Sequence, residues 1–371
     1  MAVYTTIDNP KEYFSVITWT ADDSSPRSFT GFGHQPDLLW VKHRNSGAIN
    51  PTIVDSVRGG DKMLASATNA VEDTKSHGEV TAFGSDGITV ADGTSGSYPK
   101  LYFNDLNPFG ASVGGEYIGW SWKMANSTAS NSNGGITSTV SVNSTSKCSI
   151  ISWSGSGTNT TVGHGLGIKP KIIFVKNRQR ESAWVVNVGE AVGADERSMY
   201  LHDASAMKSD AASAGGYTYN NTTSLFSIVA GSSGNSNDIN ASGENIIAYA
   251  FGDVQGYCKT STYIGNGESS NGPFVWCGFK PAWVMIKGTA DNLSWTIYDN
   301  KRPGYNSDNA YLLADGVDAE LSDKDIDLLS NGFKPRTNNG ALNTDGNTYL
   351  FMAFAESPFV NSSGKVPNNA R

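Results

Sequence analysis

The sequence predicts an all-β protein of three tandem antiparallel β-sandwich-like units with long loops. Three observations lead there. Charged residues make up only 17% of the 371 positions and glycine alone supplies 41, a composition of short strands and many turns that argues against a helical bundle. One strand pattern recurs three times in register. A second pattern closes each copy.

The first recurring pattern is Gly33-His-Gln-Pro36-Asp-Leu-Leu-Trp40-Val-Lys42, then Gly167-Ile-Lys-Pro170-Lys-Ile-Ile-Phe174-Val-Lys176, then Gly278-Phe-Lys-Pro281-Ala-Trp-Val-Met285-Ile-Lys287. Proline fixes φ and pushes its predecessor toward extended geometry, so Pro36, Pro170 and Pro281 are read as strand starts. The apolar run after each lacks polar alternation and predicts a strand buried on both faces. Lys42, Lys176 and Lys287 are read as the points where these strands reach solvent.

The second pattern follows Gly114, Gly243 and Gly346. Four, six and eight residues on stand Ile118, Trp120 and Trp122; Ile247, Tyr249 and Phe251; and Leu350, Met352 and Phe354. A period of two places the large side chains on one face of a strand. The small intervening residues, such as Gly119, Ser121, Ala248, Ala250 and Ala353, leave room for close packing on the other face.

Weaker echoes lie between. Ile53-Val-Asp55-Ser-Val-Arg58-Gly59 parallels Ile297-Tyr-Asp299-Asn-Lys-Arg302, and Lys62-Met-Leu64 parallels Tyr311-Leu-Leu313 and, loosely, Met199-Tyr-Leu201. Ser85-Asp-Gly87 parallels Ser330-Asn-Gly332 and predicts tight hairpins. Phe14–Trp19 and Cys148–Trp153 open the first two units, and Tyr263–Gly267 is a shorter opening for the third.

These markers predict an N-terminal arm at 1–12, units at 13–124, 147–257 and 262–357, a Ser/Thr/Asn-rich linker at 125–146, a short junction at 258–261 and a flexible tail at 358–371. Within the linker, Ile136–Val142 fits an added edge strand. Each unit is expected to carry its own core, so that damage at Pro281 or Trp283 leaves the first unit folded.

The Gly-x-x-Pro strand, the Asp55–Gly59 turn, Gly163-His-Gly-Leu-Gly167, Ser330-Asn-Gly-Phe-Lys334 and Ala353-Phe-Ala-Glu-Ser-Pro-Phe359 together resemble the repeated β-domains of tail-fibre-like and other virion proteins of tailed, especially marine, bacteriophages. The resemblance runs from Tyr13 to Phe359. It implies a structural protein on the exterior of the virion, assembled in the host cytoplasm, and it carries over no catalytic residue. A tail fibre or appendage contacting the host surface is the leading expectation. The alternatives are a decoration protein reinforcing the head or tail, and a glycan-degrading tail protein. No shaft signature of heptads or collagen-like triplets accompanies the repeats.

The chemistry-bearing residues point away from an enzyme, and no cofactor or metal is expected. The Gly163–Lys169 stretch lacks the Ser/Thr and following helix of a phosphate loop. Asp323-Lys-Asp-Ile-Asp327 starts like a calcium loop, but Leu328 stands where glycine is needed. None of the five histidines recurs in all three units. Cys148, Cys258 and Cys277 are odd in number and have no zinc spacing, which suits buried small apolar residues. Trp184 and Trp295, each eight residues past the unit's Lys, read as core residues of a following strand. Tyr98, Tyr217 and Tyr305, in Gly/Ser/Asn-rich stretches, are the candidates for exposed ligand contacts.

A net charge of −8 disfavours nucleic acid as a partner. No apolar run is long enough for a spanning helix, so membrane insertion is not expected. The expected partners are other virion proteins, further copies of the chain in a homo-oligomer, and a host surface glycan or receptor.

Overall fold

The computed structural model describes residues 4–110, 114–194, 196–208, 217–229, 239–290, 292–302, 306 and 309–365. Its strands form six antiparallel sheets, arranged as three sandwiches of one topology. The large sheet of the first unit runs Phe14–Thr20, Glu116–Trp122, Leu38–His43, Thr52–Asp55, Gly59–Ala65 and Asp73–Thr74. The corresponding order in the second unit is Cys148–Ser154, Asn245–Phe251, Ile172–Asn177, Val185–Asn187 and Ser198–Tyr200. In the third it is Cys258–Ile264, Thr348–Pro358, Phe279–Gly288, Thr296–Asp299 and Leu312–Leu313. In every unit the closing strand lies between the opening strand and the Pro-led strand. A three-stranded sheet completes each sandwich, built on the hairpin Glu79–Ala91 in the first unit and on Ile326–Pro335 in the third. Both hairpins turn at the Asp-Gly and Asn-Gly pairs.

The glycines of the two recurring patterns are conformational requirements. Gly33, Gly167 and Gly278 have φ of 80°, 72° and 82°, and Gly114, Gly243 and Gly346 have 62°, 76° and 73°. A side chain is strained in that left-handed region. The prolines behave less uniformly. Strands begin two residues past Pro36 and Pro170, but Pro281 lies inside Phe279–Gly288 and the pairing register shifts on both sides of it. Lacking an N–H, proline interrupts the ladder instead of starting it.

The period-two strands sort their faces as their pattern predicts. Their large residues, Trp120, Tyr249 and Phe354 among them, lie in one central cluster. Ala248, Ala250 and Ala353 turn the other way, into the cores that the second and third units enclose between their own two sheets. Each unit does carry its own core between its two sheets, the first around Trp19, Leu39, Val54, Ile88 and Tyr117; the central cluster is a fourth core, shared by all three, that the sequence reading did not include. It draws Trp40, Trp120 and Trp122 from the first unit, Phe174, Trp184 and Phe251 from the second, and Trp283, Trp295 and Phe354 from the third. The three large sheets thus face a common centre. A void of about 20 Å³ remains there, lined by Trp40, Trp122, Phe174, Trp184, Tyr249 and Trp283.

Segment boundaries differ from the sequence reading in three places. The expected linker carries strands Ala129–Asn131 and Ser138–Asn143; the latter pairs with Cys148–Ser154, and Ala129–Asn131 pairs with it in turn and forms the edge of the sheet. The junction at 258–261 is part of the opening strand of the third unit. The tail is not free at its start: Asp8 of the arm accepts hydrogen bonds from the Ser362 backbone N–H and hydroxyl. The arm also reaches the third unit, where the Tyr4 hydroxyl donates to the Gly278 carbonyl at 2.8 Å.

Candidate functional site: the seams between the units and the outer face

The three lysines read as strand ends are buried, at 1% exposure or less, and each reaches into a neighbouring unit. Lys42 Nζ donates to the Gly316 carbonyl of the third unit at 2.9 Å and to the Ile49 carbonyl at 3.2 Å. Lys176 Nζ donates to Asn69 O of the first unit at 3.0 Å and to Ser182 O at 2.8 Å. Lys287 Nζ donates to Ala204 O of the second unit at 2.9 Å. The pattern is cyclic: each unit grips its predecessor, and the first grips the third. A buried ammonium needs several acceptors, and the loops of the adjacent unit supply them. Burial pushes the Lys42 pKa down to about 7.

The backbone repeats the cycle. Glu72 N–H donates to Arg178 O, Met207 N–H to Thr289 O and Glu320 N–H to Arg44 O, at 3.0, 2.8 and 2.7 Å. Trp184 Nε1 donates to Ala65 O of the first unit and Trp295 Nε1 to Tyr200 O of the second, both at 2.8 Å. In the first unit Pro51 holds the place of these tryptophans. There Ser66 Oγ donates across the seam to Ala314 O at 2.7 Å.

Two seams carry a buried ionic set. In one, Asp55 Oδ1 accepts from the Val57 and Arg58 N–H groups, and Asp55 Oδ2 accepts from Arg58 Nε and, at 2.7 Å, from the Tyr249 hydroxyl of the second unit. Glu72 bridges Arg58 to Arg178 of the second unit. Burial opposes the Arg58 charge, but Asp55, Tyr249 and Glu72 outweigh it and raise its pKa. In the other, Asp299 binds the Lys301 and Arg302 N–H groups and Arg302 Nε, and accepts from Trp120 Nε1 of the first unit at 3.3 Å. Glu320 joins Arg302 to Arg44 of the first unit.

The third seam, between the second and third units, replaces every member of this set. Val188 stands for the Asp, Ala191 for the Arg beside it, Met207 for the Glu, Thr289 for the cross-seam Arg and Met352 for the Tyr or Trp donor. Val188 and Met352 lie in the central cluster, and Ala191 and Met207 pack against it. A half-kept set would strand a buried charge, so the exchange goes all together.

The groups that the sequence offers for chemistry are tied up in local hydrogen bonds. His34 Nδ1 contacts Lys11 O at 2.8 Å and Nε2 contacts Ser121 Oγ at 3.1 Å, and Ser121 meets Ser15. Burial pushes its pKa down to about 4. Both ring nitrogens are thus engaged by groups other than a carboxylate, and Asp86 accepts from the Gly31 and Gly33 N–H groups, so no Ser-His-Asp relay forms at His34 among the described residues. Asp323 accepts from the Tyr311 hydroxyl and Asp327 pairs with Arg336. The three cysteines are buried and unpaired. Among the described residues no cluster of His, Cys, Asp and Glu has metal-holding geometry, and no helix is long and apolar enough to cross a membrane.

The outer face differs from the sequence expectation. Tyr98 is half-buried, with its ring 4.8 Å from that of Phe109. The backbone of Tyr217 lies in strand Tyr217–Tyr219 and not in a loop. Tyr305 lies outside the described residues. The exposed aromatics are elsewhere. Eight of the nine tryptophans are buried, and the ninth, Trp276, is 49% exposed. Lys259 Nζ sits 5.1 Å from its ring centroid. Phe274 and Ile264 of the same unit are also exposed. Sequence alone offers one signal for Trp276: it precedes the third Gly-x-x-Pro motif, outside both recurring apolar patterns.

Three sandwiches of one topology, closed head to tail around a shared aromatic centre, define a single-chain ring of β-sandwiches. The chain belongs to the family described as a domain of unknown function, DUF7483, whose model matches residues 9–358. That span takes in all three units. No curated protein and no solved structure matches the chain.

Proposed function

We propose that this protein is a non-enzymatic structural component on the exterior of a tailed-phage particle, a tail fibre or appendage that contacts the host surface. The observation that carries the contact role is Trp276. It is the one tryptophan left exposed while the other eight are buried, and Phe274 and Ile264 of the same unit are exposed as well; an indole, with a broad apolar face and one donor, is well suited to a contact surface. An exposed ring face suits stacking on a sugar, and a host surface glycan is the matching ligand class. Gold-labelled antibody on purified particles, viewed by electron microscopy, tests the location, and label at the tail is the expected result. Binding of the purified chain to host cells tests the contact: Trp276→Ala is expected to abolish it without changing the unfolding midpoint.

A second reading has its own support. A closed ring with three like faces suits a site of three-fold symmetry, as a decoration protein on a shell would require. Label over the head would select this reading. Release of sugars from a panel of host polysaccharides would overturn both in favour of a glycan-degrading tail protein.

A further inference from the structure

The opening strands of the three units offer a comparison that the chain makes with itself. Each is paired on one side by its closing strand, so alternate backbone groups point away from that partner. In the second unit these belong to Cys148, Ile150 and Ser152, and strand Ser138–Asn143 covers them, with Asn143, Ser141 and Thr139 opposite. In the third unit they belong to Cys258, Thr260 and Thr262. Here the turn before the strand half-covers the edge: Cys258 exchanges both backbone bonds with Val254, and Thr260 N–H donates to Asp253 Oδ1.

In the first unit the same positions are Phe14, Val16 and Thr18. The Tyr13 carbonyl and the Ala21 N–H bond toward the closing strand, which places the even-numbered residues outward. No hydrogen bond to the N–H or C=O of Phe14, Val16 or Thr18 occurs from outside that strand pair among the described residues. Beside this edge runs an open cleft of about 350 Å³, floored by residues 14–18 and walled by Ala282, Asn300, Lys301 and Glu356 of the third unit. Lys11 and Lys301 line it, and neither is in an ion pair among the described residues. The acid in the wall, Glu356, is held by Lys280 and Asn300.

We propose that this cleft receives one extended segment of a partner protein, which adds to the first unit the further strand that the second unit supplies for itself. The occupant is a short run of alternating small and β-branched residues, like Ser138-Thr-Val-Ser-Val-Asn143, flanked by acidic residues that meet Lys11 and Lys301. Main-chain bonds to Val16 and Thr18, at the more open end of the edge, hold it, Phe14 being 2% exposed, and the flanking charges set its register. A second copy docking through its own opening strand is disfavoured: it would bring the walls of its own cleft against Ala282, Asn300, Lys301 and Glu356, which wall this one. The inference rests on backbone geometry and stands whether or not the protein belongs to a virion.

Amide hydrogen exchange on the full chain tests it. The probe is a synthetic peptide with the sequence of residues 136–144, extended by acidic residues at both ends. The Val16 and Thr18 amides are expected to exchange fast in the free chain and to slow at least tenfold with saturating peptide. Thr18→Pro is the blocking variant. Thr18 is exposed and its N–H faces the cleft, so proline there removes no ladder bond. It is expected to keep the wild-type unfolding midpoint and lose the protection at Val16, while Thr262→Pro in the third unit loses none. Lys301→Glu is expected to weaken the peptide at low salt. The proposal fails if millimolar peptide leaves Val16 exchange unchanged, or if Thr18→Pro binds as the wild type does. It also fails if these amides are already protected in the free chain and become fast on dilution, which would mean a second copy fills the edge.

Discussion

At Asp299, three residues decide whether a buried charge is tolerable. Its carboxylate holds the Arg302 guanidinium, whose side chain is 1% exposed, and meets Trp120 from the first unit. Asp299→Val alone leaves the buried guanidinium with only the Ile297 carbonyl and the more distant Glu320 carboxylate and is expected to cost about 3–5 kcal/mol. Adding Arg302→Ala copies part of the apolar solution that the third seam uses at Val188 and Ala191, and should return much of that loss. A double-mutant cycle in urea reads the coupling; simple additivity would mean the pair is not a unit. His43 makes a second case. It is buried against Tyr117, and neither ring nitrogen finds a partner among the described residues. Burial, helped by the nearby Lys42 charge, pushes its pKa down to about 4. The unfolded chain, with its ordinary value near 6.5, then binds more protons between pH 6.5 and 4, so stability falls as pH falls through that window. His43→Phe removes this contribution. It is expected to raise the unfolding midpoint relative to wild type by more at pH 5 than at pH 8; an equal shift at both would show that His43 keeps an ordinary pKa in the fold.

Among the elements, the closing strands were the most legible in the sequence. Alternation at period two reports which residues share a face, and Ile118, Trp120 and Trp122 do share one. The pattern does not report what lies opposite that face, and here it is two other units. The lysines misled for the same reason. A lysine after an apolar run usually meets water, but Lys42 and Lys287 meet carbonyls 274 and 83 residues away in sequence, and nothing local encodes that. The Asp55–Arg58 and Asp299–Arg302 echoes were visible as turns, while their partners Tyr249 and Trp120 belong to other units. Strand Glu116–Trp122 also carries a packing constraint. A β-carbon on Gly119 would lie 3.1 Å from the Trp19 ring and 3.3 Å from Leu39, whereas the other units have Ala248 and Phe351 in the corresponding place. Gly119→Val is therefore expected to overpack the first sandwich by about 1–3 kcal/mol. Urea unfolding with an unchanged m-value checks this, and a neutral result would show that the Trp19 ring can move aside.

On the scale of the whole molecule, the three sandwiches are expected to unfold as one cooperative body because none owns the central cluster. Trp283 of the third unit packs against Phe14, Trp120 and Trp122 of the first and Phe354 of its own, with ring centroids 5.9–6.4 Å apart. The seams add lysine, tryptophan and backbone bonds around the full circle, and the arm ties Asp8 to Ser362 near the other end. A ring closed in this way has no free end from which to unravel, in contrast to a linear repeat array, where each unit meets only its neighbours. Trp283→Ala is expected to cost about 3–5 kcal/mol, and the loss should appear in all three units together. The check is native-state hydrogen exchange under mild urea, followed at amides of Trp40, Phe174 and Met285, which occupy corresponding central positions in the three units. Equal loss of protection at all three supports a single cooperative core. Loss confined to Met285 would mean that the third unit opens alone, and that the shared aromatic centre packs the units together without making them fold together.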